Sequence, residues 1–270
     1  MTQDEHPLVT KYREFSPASE ALHEKARKVF PGGDTRSSAH YGPYPLTITE
    51  ASGCVMKDAD GHEVLDFMNN FTSLVHGHAR PEIVESVQKQ IALGSAYAAT
   101  SQNQIDLAEI ITERIPSVDQ MRFTSSGSEG TTMAIRCARA ATGRHKTISF
   151  WDAFHGAGFG AASVGGEQFF RSHVIGPLLS GTEHVAPFAC YRCPYGYPDL
   201  NGEAQLEICQ TTCASFVRYV LEKEGDVAAV IAEPARAVPY IPPPGYWQMV
   251  RQACNDHGAL LIFDAVSYTP

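Results

Sequence analysis

From residue 122 onward the chain alternates short apolar runs with longer stretches of helical spacing, and this restricts the fold more than any other feature. Thr147 to Phe150, Asp226 to Ala232 and Ala259 to Phe263 read as strands. Between them lie helical patterns, one through Met133, Ile135 and Ala138 to Gly143, another from Pro244-Gly245 to His257. Strand–helix alternation predicts a mostly parallel sheet with helices on both faces, an α/β architecture. In such a sheet ligands sit beyond the carboxyl ends of the strands. Ser126 to Ser128, Glu233 and Asp264 all fall at those ends.

The stretch Arg122-Phe123-Thr124-Ser125-Ser126-Gly127-Ser128-Glu129-Gly130 reads as a short strand, a small-residue turn and the start of the long helix. A helix N-terminus leaves backbone N–H groups unpaired, and the helix dipole adds positive charge there. A phosphate or carboxylate is the natural guest. The other reading is an ordinary serine N-cap with Glu129 in the first turn.

The N-terminal part has a different character. Ser16-Pro17 opens a helix with Leu22, Ala26 and Val29 as its apolar stripe, and Pro31-Gly32-Gly33 ends it. Pro45 to Glu50, Cys54 to Lys57 and Glu63 to Phe67 follow as strands of a small antiparallel sheet, with Asp60-Gly61 as a hairpin turn. We expect residues 1–75 to form this segment and 76–270 to belong to a large α/β domain. Helices are expected after Pro81 and from Gln104 to Ile115.

Composition excludes several partner classes. A formal net charge of −9 without a Lys/Arg-rich run argues against nucleic acid. No apolar run reaches the roughly 18 residues of a membrane span. The start Met1-Thr2-Gln3-Asp4-Glu5-His6 does not read as a secretory signal, and seven cysteines, an odd number spread over a long chain, fit reduced thiols; a cytoplasmic location is expected.

Cys190, Cys193, Cys209 and Cys213 form a C-x2-C and a C-x3-C separated by fifteen residues. That spacing is compatible with a tetrahedral zinc site if the last two lie one helical turn apart. A region of buried thiols is the alternative, and no metal ligand is assigned. His76 and His78 lack a second pair and are expected to be structural.

Several stretches, in order, resemble the class III (subgroup II) aminotransferases of pyridoxal-phosphate fold type I. They are Phe30-Pro31-Gly32-Gly33, Asp58-Ala59-Asp60-Gly61, Leu65-Asp66-Phe67, His76-Gly77-His78-Ala79 and Ser126-Gly127-Ser128-Glu129. Phe154-His155-Gly156, Ile231-Ala232-Glu233-Pro234, Pro243-Pro244-Gly245-Tyr246 and Leu261-Ile262-Phe263-Asp264 continue the series. The glutamate-1-semialdehyde aminomutases and β-amino-acid aminotransferases are similar. The resemblance implies pyridoxal 5'-phosphate as cofactor, with a large parallel-sheet domain preceded by an α+β segment of a small domain. It implies amino-group transfer or 1,2-migration between a small-molecule donor and a keto or aldehyde acceptor, in a homodimer.

By resemblance, Ser126, Gly127 and Ser128 hold the cofactor phosphate, Phe154 stacks on the ring, and Asp264 sits against the ring nitrogen as the catalytic carboxylate. Glu233 supports the pocket, and Arg36 pairs with a substrate carboxylate. The bland alternatives are a core phenylalanine, a strand-end cap for Asp264 and a solvated surface arginine. The family's cofactor-binding lysine has no match among Lys11, Lys25, Lys28, Lys57, Lys89, Lys146 and Lys223. The sequence stops six residues past Asp264, so the C-terminal part of the fold is expected to be missing. A non-catalytic remnant that binds the cofactor weakly or docks on a full-length partner is the competing expectation.

Overall fold

The computed structural model describes residues 6–36, 39–171, 178–198, 203–235 and 240–266. Ser37, Ser38, Pro239 and the tail from Ser267 lie outside the described residues. Packing divides the chain into two units, Met1–Asp106 and Leu107–Pro270.

The first unit begins with a helix that the sequence reading did not anticipate, α1 (Pro7–Phe15), with Pro at its first position and His6 Nδ1 accepting from Leu8 N. The expected helix follows as α2 (Pro17–Ala26). Ser16 does not cap it; its hydroxyl turns back to donate to the Tyr12 carbonyl. Asp60 caps α2 instead, accepting from Ala18 N at 2.6 Å and from Ser19 N and Oγ at 3.0 Å. Burial works to raise this carboxyl's pKa, but those hydrogen bonds outweigh it and hold the group below the ordinary range. The expected apolar stripe is not core within the unit. Leu22 and Val29 are exposed, and Ser19 is the buried residue of α2.

Three short strands, β1 (Ile48–Ser52), β2 (Val55–Asp58) and β3 (Glu63–Leu65), form the antiparallel sheet. Its register pairs Ala51 with Met56 and Met56 with Val64. Two helices follow, α3 (Pro81–Ile91) and α4 (Gln102–Arg114), the latter spanning the division between the units.

The second unit carries, in order, α5 (Gly127–Thr142), β4 (Lys146–Phe150), α6 (Phe159–Val164), α7 (Gln168–Arg171) and β5 (Thr182–Val185). Then come α8 (Glu203–Cys209), α9 (Thr212–Glu224), β6 (Val227–Ala232), α10 (Tyr246–His257) and β7 (Leu260–Phe263). The four described strands are parallel in the order β5-β4-β6-β7. All six residues of β6 are buried, as a central strand covered on both faces requires. Alternate side chains divide between the faces. Val230 packs with Val217, Leu221 and Val250 of α9 and α10, while Ile231 packs with Ile135 of α5 and Val164 of α6.

One expected strand is absent. Arg122 to Thr124 is irregular, because no strand of the described sheet lies beside it to complete a ladder. One strand, β5, was not foreseen: Thr-Glu-His-Val is too polar to announce itself, and it is an edge strand with exposed Glu183.

Candidate functional site

The loop after β4 ties the strand ends together. Phe154 N donates to Glu233 Oε2 at 3.3 Å, just past the end of β6. His155 Nδ1 stands 3.0 Å from Asp264 Oδ2, just past the end of β7. Ala157 N donates to Ser128 Oγ at 3.2 Å, in the first turn of α5. Three of the four strands and the long helix therefore meet at residues 154–157. Asp264 extends the sheet by one more bond, its N–H donating to the Ala232 carbonyl at 2.8 Å.

Gly156 makes the approach possible. Its φ is +115°, and a Cβ there would stand 2.3 Å from Ser128 Oγ and 2.8 Å from Ser128 Cα. Only glycine fits that backbone against that neighbour.

The turn before α5 behaves as a capped helix start with N–H groups to spare. Ser126 is the N-cap, its Oγ accepting from Glu129 N at 3.2 Å, and Glu129 Oε2 accepts from Ser125 N at 2.8 Å. The serine-cap reading is thus realised in Ser126, whose hydroxyl oxygen serves the helix. The N–H groups of Gly127 and Ser128 have no acceptor among the described residues. Gly127 is exposed and Ser128 half-buried, so the pair remains open to an anion.

His155 is the functional candidate to which the sequence reading gave no role. Its side chain is fully buried, and its Nε2 is buried without a hydrogen-bond partner among the described residues. Its place between Phe154 and Gly156 is the one local signal; its partner lies 109 residues away. Asp264 keeps a side chain 12% exposed, enough to face a ligand. Phe154 is 40% exposed and packs against Phe170 with the two rings tilted by 46°, so it is a surface-facing aromatic rather than core.

Arg36 belongs to the first unit and is described there alone. Its Nη1 donates to Asn70 Oδ1 at 2.8 Å, and its guanidinium lies 4.5 Å above the Phe71 ring. Both partners sit in a run, Asn69 to Thr72, whose four residues all have positive φ. His78 Nε2 is 2.8 Å from Asp66 Oδ2, which holds the Asp66 carboxyl below its ordinary range. Among the described residues no three metal-ligating side chains are arranged to hold one ion. Cys209 and Cys213 are not one turn apart on a single helix. Gln210 and Thr211 break α8 from α9 with φ of 45° and 54°.

Residues 36–268 match the profile of the family described as aminotransferase class-III. Curated relatives include a glutamate-1-semialdehyde 2,1-aminomutase of Syntrophobacter fumaroxidans, 34% identical over 254 residues, covering 92% of this chain and 54% of that protein. An (R)-1-hydroxy-2-aminoethylphosphonate ammonia-lyase of Vibrio splendidus is 33% identical over 263 residues, with the same coverage. Among solved structures, a β-phenylalanine aminotransferase from Variovorax paradoxus superposes with a TM-score of 0.77 at 28% identity, over 96% of this chain and 53% of that one. An omega-transaminase from Sphaerobacter thermophilus gives 0.73 at 34% identity, over 94% and 56%. The chain spans about half the length of the curated relatives it matches.

Proposed function

The chain belongs to the class-III aminotransferase family, and from that premise we propose that it forms the pyridoxal-phosphate side of an enzyme that transfers or migrates an amino group. The observation that carries this reading is the meeting of the Gly127–Ser128 turn, His155 and Asp264 at one set of strand ends. The residues present fit the cofactor. Two unpaired N–H groups at a helix N-terminus suit its phosphate, and a carboxylate braced by a buried histidine suits a protonated ring nitrogen.

When bound, the cofactor supplies an electron sink for bonds broken at the amino-bearing carbon. The chain's own residues do the rest. Gly127 and Ser128 fix the phosphate through backbone N–H groups and the Ser128 hydroxyl, with Ser126 shaping the turn as its cap. Asp264 holds a proton on the ring nitrogen, and His155 orients Asp264. Phe154 offers its exposed ring face to the flat cofactor, and Glu233 fixes the Phe154 backbone. Arg36, with its planar fork, is our candidate for a substrate carboxylate. The amino donor and the keto or aldehyde acceptor are small molecules, and the working enzyme is a homodimer of cytoplasmic type.

We also propose that these 270 residues do not turn over alone. In the second unit the lysines are Lys146 and Lys223. Lys146 opens β4, at the end opposite the site, and is tied to Glu224 at 2.8 Å and Asp226 at 2.9 Å. Lys223 lies over the Tyr219 ring near the end of α9. Neither is at a strand's carboxyl end.

Equilibrium dialysis of the chain against pyridoxal phosphate, followed by borohydride reduction and peptide mapping, tests both statements. Saturable binding that inorganic phosphate competes away, with only scattered substoichiometric lysine labelling, is expected. Absence of saturable binding contradicts the cofactor assignment. One lysine labelled stoichiometrically, with absorbance that responds to amino donors, contradicts the second statement.

A further inference from the structure

Away from the strand ends, one cluster of nucleophiles stands out. Cys190, Cys193, Cys209 and Cys213 line a single cavity of about 20 Å³, with Tyr195 and Phe188 in its wall. Two chain segments meet there. One is the 3₁₀ turn Cys190–Arg192 with Cys193 directly after it; the other is the junction of α8 with α9. A space of this size holds about one water. The Tyr195 hydroxyl is buried without a hydrogen-bond partner among the described residues, while the Tyr197 and Thr212 hydroxyls that also line the cavity are 3.0 Å apart and bonded to each other. All four thiols are half-buried, within reach of a small reagent, whereas Cys254 is buried.

Four thiols around one cavity suit either a soft cation or sulfur–sulfur pairing. Tetrahedral ligation needs its donors arranged about one point. No three ligating side chains among the described residues are so arranged. Pairing needs only two sulfurs, on Cα atoms about 4.4–6.8 Å apart. The left-handed backbone at Gln210 and Thr211 turns Cys209 and Cys213 off a common helix face, so both can line the cavity opposite the 190–193 turn.

We propose that this cavity is an oxidation site, at which a disulfide closes between a cysteine of the 190–193 turn and one of the α8–α9 junction. Oxidised glutathione is a sufficient oxidant. A cavity thiolate attacks one of its sulfurs, forming a mixed disulfide and releasing one glutathione thiolate. A thiolate from the facing segment then attacks the protein-side sulfur and releases the second glutathione. Two protein thiols become one disulfide, and two electrons and two protons pass to glutathione. Burial, with neighbouring thiols adding to it, pushes Cys213 up to about 12, so another cysteine makes the first attack. Pro187 and Phe188 wall this cavity and also the neighbouring one that Glu233 lines, so the bridge stiffens a wall shared with the proposed cofactor site.

The test uses the full chain, reduced, desalted and then exposed to oxidised glutathione. Trypsin with Glu-C cuts after Glu183, Arg192, Glu203, Glu207 and Arg218, which separates Cys190, Cys193 and the Cys209–Cys213 pair into different peptides. We expect one link joining peptide 184–192 or 193–203 to peptide 208–218, reversed by dithiothreitol. Thiol titration in denaturant should fall by two, and Tm should rise by a few degrees. The Cys190→Ser/Cys193→Ser double variant should show no loss of thiols and no change in Tm on the same treatment. Should that variant not fold, Cys209→Ser/Cys213→Ser serves the same purpose. Mixed glutathione disulfides alone, or links confined to one segment or to Cys54, Cys137 or Cys254, overturn the proposal. So does stoichiometric zinc in protein purified without chelator, with the four thiols unreactive.

Discussion

His155 Nδ1 lies 3.0 Å from Asp264 Oδ2, joining the loop after β4 to the end of β7 with the imidazole fully buried and the carboxylate at the site's edge. A buried partner of this kind fixes the carboxylate's direction before any ligand arrives. His155→Leu removes the hydrogen bond while keeping much of the bulk. Loss of a buried bond to a charged group costs about 1.5–3 kcal/mol, read by denaturant unfolding. The positioning role needs a second readout. The 15N shift of pyridoxal phosphate labelled at its ring nitrogen should move toward the unprotonated value in the variant. Lost stability with an unchanged shift would leave His155 a packing residue.

Gly156→Ala adds a Cβ where Ser128 Oγ and Cα already stand, at a φ of +115°. Both strain and overlap act, so we expect a loss of about 1–3 kcal/mol or more and a fall in pyridoxal phosphate affinity. Gly143→Ala is the control. Gly143 also has positive φ, but nothing lies within 4 Å of its added Cβ. It should lose about 1 kcal/mol of stability and none of the affinity. Equal effects of the two variants on affinity would separate Gly156 from the site.

His184 gives the second unit a built-in pH dependence. Burial, then the charge of Arg171, push it down to about 4 from an ordinary 6.5. Between those values the unfolded chain binds the proton and the folded chain does not. Its contribution to stability is therefore complete above about pH 6.5 and is lost as pH falls toward 4. His184→Gln should flatten that part of the stability–pH curve. A variant with the wild-type slope across this window would contradict the assignment.

Much of this was legible in the sequence, and the reasons are local. Val227 to Ala232 is uninterrupted and apolar, so β6 is recognisable without its neighbours. The turn at Ser126 to Ser128 carries its own cap, which is why a helix start could be read there from residue types alone. What escaped depends on distant partners. Asp60 displaces Ser16 as the cap of α2 from 42 residues downstream of Ala18. Residues 122–124 have strand character but no ladder to join. His155 finds its partner in Asp264, 109 residues away, and no pattern in the loop sequence announces that pairing.

Ser128 supplies a hydroxyl, an N–H group and the acceptor for Ala157 N in one place. Ser128→Ala should weaken pyridoxal phosphate binding by about tenfold, the worth of roughly 1.4 kcal/mol. Binding of pyridoxal, which lacks the phosphate, should change far less in the same variant. A comparable loss for both ligands would mean that Ser128 acts through the loop and not on the phosphate.

The most direct test of the account is a paired titration of the chain with pyridoxal phosphate and with pyridoxal, followed by fluorescence at fixed pH and ionic strength. If Gly127 and Ser128 form the phosphate anchor, pyridoxal phosphate binds saturably and pyridoxal binds at least about tenfold more weakly, a difference of about 1.4 kcal/mol or more. Equal affinities for the two, or no saturable binding of either, would contradict the central claim that this helix start is built to hold the cofactor.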